Sequence, residues 1–235
     1  MKVESITGVT DYRVKIYKPV SEIMIVKDGN FGSEQVEIMR VNSTRGSNEQ
    51  VCPRTEIVEL FEINAQGEGL FIDKDSGSRG MISVGMDGAV ALGAERYLTV
   101  EFSGLVAGSN YSVYGMEDGE IVERVMVYHP IIINQDEELR EFGNNEKELL
   151  ALPLANLVKV ELVKNSGQTV AFTPEELKAK MEKENDVCSV YDDGGGEVVH
   201  YGYRNLALLS IIGVETIKIQ KVAGNAYQVI FVDQA

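Results

Sequence analysis

Apolar and polar positions alternate along most of this chain, and Gly, Asn and Asp interrupt the alternation at short intervals. A period of two, carried by β-branched and aromatic residues, is the mark of strands with one buried face. The pattern predicts strands over 12–17 ("YRVKIY"), 22–28, 35–41, 56–63 ("EIVELFEI") and 97–104 in the first half. It predicts others over 125–133, 157–163, 200–212, 215–222 and 227–233 in the second. Helix signals are few. "TPEELKAKMEKEND" puts Thr173 at an N-cap, Pro174 at the first helical position and Glu176 where its carboxylate reaches back to the cap, so a helix of about ten residues should start there. "NQDEELREFG" repeats the device with Asn134 and Glu137 and stops at Gly143, which predicts a second, shorter helix.

The chain also repeats itself. "LVAGSNYSVYGMED" from Leu105 and "KVAGNAYQVIFVDQ" from Lys221 match at Val106/Val222, Ala107/Ala223, Gly108/Gly224, Tyr111/Tyr227 and Val113/Val229, a constant offset of 116. With a one-residue gap the preceding "YLTVEFSG" falls on "VETIKIQK", so each half should close on a strand, a short "VAG" turn and a second strand, read as a hairpin. A fainter echo sets "EIMIVKDGNFGSEQV" against "KVELVKNSGQTV". Two such halves, residues 1–124 and 125–235, predict an all-β protein of two tandem β-sandwiches with one or two short inserted helices. An immunoglobulin domain would carry a core Trp; this chain has none, which favours jelly rolls.

Composition narrows the function. A hydrophobic content of 44% over 235 residues suffices for real cores, and apolar runs such as "NLALLSIIGV" are too short to cross a bilayer as helices. The opening "MKVESITGVT" lacks the apolar core of a secretory signal, so synthesis in a cytoplasm is expected, and the glycosylation-like triplets at Asn42 and Asn110 then carry no meaning. A net charge of -15 opposes direct binding of a nucleic-acid backbone and reads first as solubility. Cys52 and Cys188 stand far apart and are expected as buried thiols, with neither a disulfide framework nor a thiolate metal site.

Catalytic signatures are missing. His129 and His200 have no neighbours at ligand or triad spacing, and no phosphate-binding loop, zincin motif or nucleophile elbow occurs; "GMISVG" at Gly80 sets its serine one place too late. Asp73 and Asp75 in "FIDKDSGSRG" offer alternating oxygen ligands, the first half of a calcium loop. Gly77 occupies the third ligand position, however, and no Glu closes the loop, so a solvated hairpin turn competes with calcium there. "YDDGGGE" from Tyr191 reads as a flexible surface loop, and with Trp absent only tyrosines such as Tyr191, Tyr201 and Tyr203 could form a sugar platform. Carboxylate pairs give no signal, because 37 acidic residues supply them everywhere.

With its two "VAG" segments, its two-half length and "LPLANLVKVELVKNSGQTVAFTPEELKAKMEKEND", where a proline-bearing linker leads into a strand pair and a helix, the chain resembles the double jelly-roll major capsid proteins of tailless icosahedral bacteriophages, the corticovirus-like kind. The resemblance implies a non-enzymatic virion protein made in the host cytoplasm, forming homotrimers of nearly hexagonal outline that meet neighbouring capsomers and minor capsid proteins. It implies no cofactor beyond the calcium reading at Asp73 and Asp75. It also implies that residues 1–12 act as an arm touching a neighbour or an internal membrane. Two other readings fit the same sequence: a phage spike, decoration or tail component, and a carbohydrate-binding β-sandwich.

Overall fold

The computed structural model describes residues 1–64, 71–73, 77–85, 87–184, 189–192, 198–201 and 206–234. The first half contributes β1 (Lys2–Thr7), β2 (Tyr12–Ile16), β3 (Glu22–Lys27), β4 (Gln35–Asn42), β5 (Ser47–Glu56), α1 (Ile57–Asn64), β6 (Phe71–Asp73), β7 (Gly77–Ser83), β8 (Gly88–Val90), β9 (Arg96–Ser103), β10 (Asn110–Met116) and β11 (Glu120–Val122). The second contributes β12 (Met126–Ile133), β13 (Leu139–Gly143), β14 (Leu149–Pro153), β15 (Leu157–Lys164), β16 (Thr169–Phe172), α2 (Pro174–Glu184), β17 (Ser189–Asp192), β18 (Val198–Tyr201), β19 (Leu206–Ser210), β20 (Val214–Lys221) and β21 (Tyr227–Gln234).

Four sheets carry the architecture. In the first half, β1-β10-β3-β7, extended by β6, faces β2-β9-β4-β5; in the second, β12-β21-β14-β19 faces β13-β20-β15-β16. Lettering the eight main strands of each half B to I in chain order gives the orders B-I-D-G and C-H-E-F twice. That interleaving defines a jelly roll. The protein is therefore all-β, two tandem jelly-roll sandwiches with two short helices, and each helix follows strand F: α1 after β5, α2 after β16. Alternation drives the packing, since Ile23 and Ile25 on β3, Tyr111 and Val113 on β10, and Ile217 and Ile219 on β20 point inward between their sheets.

Several local expectations change. The "VAG" segments are not hairpin turns: β9 and β10 lie in opposite sheets, as do β20 and β21, so each segment is a crossover from strand H to strand I. The duplication is nonetheless structural, because Tyr111/Tyr227 and Val113/Val229 occupy equivalent strands and the three "VAG" pairs occupy equivalent crossovers. Tyr111 and Tyr227 stand at the start of strand I with buried rings, and each hydroxyl donates toward the D-to-E connection, to Glu34 Oε1 at 3.0 Å in one case and to the Pro153 carbonyl in the other. The fainter echo does not survive, for it matches β3–β4, a D–E link, with β15–β16, an E–F link.

Residues 57–64 form helix α1 rather than a strand, because Ile57, Leu60, Phe61 and Ile63 fall on one buried stripe at helical spacing. In "NQDEELREFG" the capping contacts do form, with the Asn134 amide donating to Glu137 Oε2 at 3.3 Å and the Glu137 amide donating to Asn134 O at 3.1 Å. The chain then leaves the turn as edge strand β13, where Arg140 and Phe142 pair with Ile219 and Ile217 of β20. Tertiary pairing outweighs the local cap. Residues 2–7, expected in an arm, are instead edge strand β1, paired with β10 and anchored by the Met1 ammonium on the Gly115 carbonyl at 2.6 Å. The proline-bearing "LPL" is the end of interior strand β14 rather than a linker. Helix α2 stands as expected: the Thr173 amide donates to Glu176 Oε2 at 2.8 Å and the Glu176 amide to Thr173 Oγ1 at 3.3 Å.

Candidate functional site

Among the described residues, the backbones of Tyr191, His200 and Tyr201 share the β17–β18 pair, and the other residues singled out for chemistry are not brought together. Asp73 ends β6, its backbone paired with Gly77 of β7, while its side chain and the whole of Asp75 lie outside the described residues. Cys188, Tyr203 and the "GGG" segment lie outside them too, as do the side chains of His200, Tyr191 and Tyr201. Among the described residues no group of three or more His, Cys, Asp or Glu is placed to hold a metal. Cys52 is fully buried, and burial pushes its thiol up to about 12, which leaves it protonated and unreactive. His129 Nε2 lies 3.0 Å from Asp233 Oδ2, and Lys147 Nζ lies 3.2 Å from the same oxygen, a half-exposed charge cluster with no nucleophile.

One open cleft of about 440 Å3 at an end of the first sandwich is lined by Arg40, Arg45, Arg96 and Arg124. Glu49 and Glu123 share that lining: Arg40 Nε donates to Glu49 Oε2 at 2.7 Å, and Arg96 pairs with Glu123, so two of the four guanidiniums are neutralised within the cleft.

The distinctive geometry is the junction between the sandwiches. Ala151, Ile230 and Val232 point away from the second sandwich's own core and, with Leu206, join the core of the first; Leu149 and Leu208 pack on the same cluster. Opposite them stand Ile57, Leu60, Phe61 and Ile63 of α1 with Val51 and Cys52 of β5. The sheet β12-β21-β14-β19 is thus buried on both faces, and its continuous apolar runs "LLALP", "LALLS" and "VIFV" suit two cores rather than one. That run was the sequence signal for this junction.

Polar contacts lock the seam. The Tyr128 hydroxyl, on a ring only 1% exposed, lies 2.8 Å from both Asn64 Oδ1 at the end of α1 and the Ser83 carbonyl of β7, and burial pushes its ionisation upward. Asn64 also accepts from the Ser83 amide at 3.1 Å and donates to Leu60 O at 2.7 Å, so one side chain joins helix, strand and the other sandwich. Gln228 Nε2 of β21 donates to Glu59 Oε2 of α1 at 2.8 Å. Burial, reinforced by the charges of Glu56 and Glu62, pushes Glu59 up to about 7, and burial raises Glu62 as well. Close approach is required under α1, where a Cβ on Gly80 of β7 would sit 2.3 Å from the Phe61 ring.

Against known proteins, no family model matches the chain and no curated protein matches its sequence. Among solved structures, the major capsid protein P2 of bacteriophage PM2 aligns over 98% of this chain and 93% of its own, with a TM-score of 0.60 at 9% identity. The Faustovirus major capsid protein covers 100% of this chain and 89% of its own at a TM-score of 0.40 and 8% identity. PNGase F, a glycosylasparaginase from Flavobacterium meningosepticum, covers 99% and 94% at 0.36 and 12%. The last two superpose too loosely to carry weight; the first, at so low an identity, establishes a shared fold along nearly the whole length of both chains.

Proposed function

We propose that this chain is a viral major capsid protein, built to assemble as a homotrimeric capsomer of nearly hexagonal outline in an icosahedral shell. The observation that carries the reading is the duplicated B-I-D-G and C-H-E-F order, with the two sandwiches joined through an apolar cluster that polar contacts lock. Three copies of a two-sandwich chain present six similar units around a threefold axis, which lets one gene product fill sixfold positions. The PM2 protein that shares the fold is a major capsid protein, and this supports the assignment. No side-chain arrangement described above assembles a nucleophile, base and oxyanion donors, so the surfaces that matter are those between copies.

Light scattering on the purified chain tests this reading. A capsomer protein runs at three times 25.9 kDa and is the most abundant polypeptide of the particles that contain it. A stable monomer of 25.9 kDa, found at low copy in particles or outside them, overturns it.

A further inference from the structure

From the junction inside the chain we infer the contact between chains: the α2 edge of the second sandwich docks on the outer face of β1-β10-β3-β7 of the first sandwich in a second copy. The inference rests on the capsomer reading and deepens it by naming the surfaces that meet.

The argument begins with register. Across the outer face of the second sandwich runs one row, Pro130–Ile230–Ala151–Leu208, each residue paired with the next. The equivalent row on the first sandwich is Lys2–Tyr114–Met24–Met81, also paired in sequence. Within the chain the former row is covered by α1 and β5, leaving Ile230 at 2% and Ala151 at 0% exposed. Among the described residues no helix or strand lies over the latter: Tyr114 and Met24 are half-buried and Met81 is 41% exposed. Two methionines and a tyrosine in register on the solvent side of a sheet are a poor way to face water and a good way to meet an adaptable partner.

The occupant follows from the fold. What covers the row on the second sandwich is the strand-F edge and the helix behind it. Among the described residues the other copy of that unit is β16 with α2, which is exposed at Glu175, Glu176, Lys178 and Ala179. The intrachain contact joins two different surfaces, so it is heterologous, and repeating a heterologous contact from chain to chain either closes a ring or runs on as a filament. Signs agree as well, since Lys2 ends the uncovered row, Arg79 stands beside it on β7, and Glu175 and Glu176 head α2.

The test is Met81→Glu, alone and with Met24→Glu, measured by light scattering beside the parent chain. Ile212→Glu serves as control, because Ile212 is apolar, 73% exposed, and lies in the β19–β20 connection of the other sandwich. Circular dichroism and melting confirm that each variant folds. The expected result is a trimeric parent, a trimeric Ile212→Glu, and folded Met81→Glu that is monomeric at concentrations where the parent is fully trimeric. A trimeric parent whose Met81→Glu and Met24→Glu/Met81→Glu forms remain trimeric overturns the docking surface and leaves the capsomer reading standing. A parent that is monomeric at every concentration overturns the capsomer reading itself.

Discussion

The same sheet face is built differently in the two sandwiches. On the second, the B-I-D-G sheet carries uninterrupted apolar strands and serves as floor to two cores, its own and that of the first sandwich. On the first, β3 and β10 alternate strictly, burying Ile23, Ile25, Tyr111 and Val113 while turning Met24, Ser112 and Tyr114 outward. The two sheets share strand order and register, so topology does not account for the difference. On the docking proposed above, it comes from what each face meets: a covalently attached neighbour that is always present, against a partner met at finite concentration. A permanently covered face tolerates Ile230 and Ala151, whereas a face that must first remain soluble carries Lys2, Arg79 and the softer methionines.

That contrast can be broken from the inside. Phe61→Ala removes the aromatic anchor shared by the first core and the seam, and should cost about 3–5 kcal/mol in denaturant unfolding, the range for a buried Phe. Leu177→Ala on α2 should cost about 2–5 kcal/mol but act on the second core alone. Separate probes in the two halves would register the difference, with Phe61→Ala lowering both transitions and Leu177→Ala only one. Gly80→Ala drives a methyl group into the Phe61 ring and should cost about 1–3 kcal/mol by overpacking. Combined with Phe61→Ala it should cost less than the sum, since the ring it strikes is gone.

Smaller effects sharpen the comparison between the helices. Thr173→Ala removes the N-cap of α2 and should cost about 1 kcal/mol. Because α2 sits away from the seam, melting of the second sandwich should report it and the Tyr128 environment should not. On α1, Glu59 ionises at about 7 in the folded chain against 4.5 when unfolded, so between those values the folded state holds more protons than the unfolded one. Stability should therefore fall as pH rises from 4.5 to 7, and Glu59→Gln, which keeps an acceptor for Gln228, should flatten that part of the melting-temperature profile. An unchanged slope in Glu59→Gln would assign the pH dependence to other groups.

How much could be read in advance depended on whether the signal was local. Helix α2 was legible because Thr173, Pro174 and Glu176 satisfy the first-turn amides without help from elsewhere. The matched segments around Tyr111 and Tyr227 revealed the duplication because equivalent strands keep equivalent inward residues. The link between those strands was misread, since Val106–Gly108 turns the chain without saying which sheet receives it. Asn134 and Glu137 formed their cap and still gave no helix, because pairing with β20 offered Arg140 and Phe142 a ladder that outweighs one turn. Helix α1 hid in "EIVELFEI", eight residues that satisfy a period of two and of 3.6 alike. The seam hid because double-sided burial appears only as a lack of alternation in "LLALP" and "LALLS".

The most direct test of the duplicated building block is a cryo-electron microscopy map of the purified oligomer at a resolution that separates strands. Three chains should form one ring in which first and second sandwiches alternate, with α2 of each chain lying on the Tyr114–Met24–Met81 row of the next as α1 lies on Ile230–Ala151–Leu208. A ring joined through like sandwiches, or one that leaves the methionine row facing solvent, would contradict it.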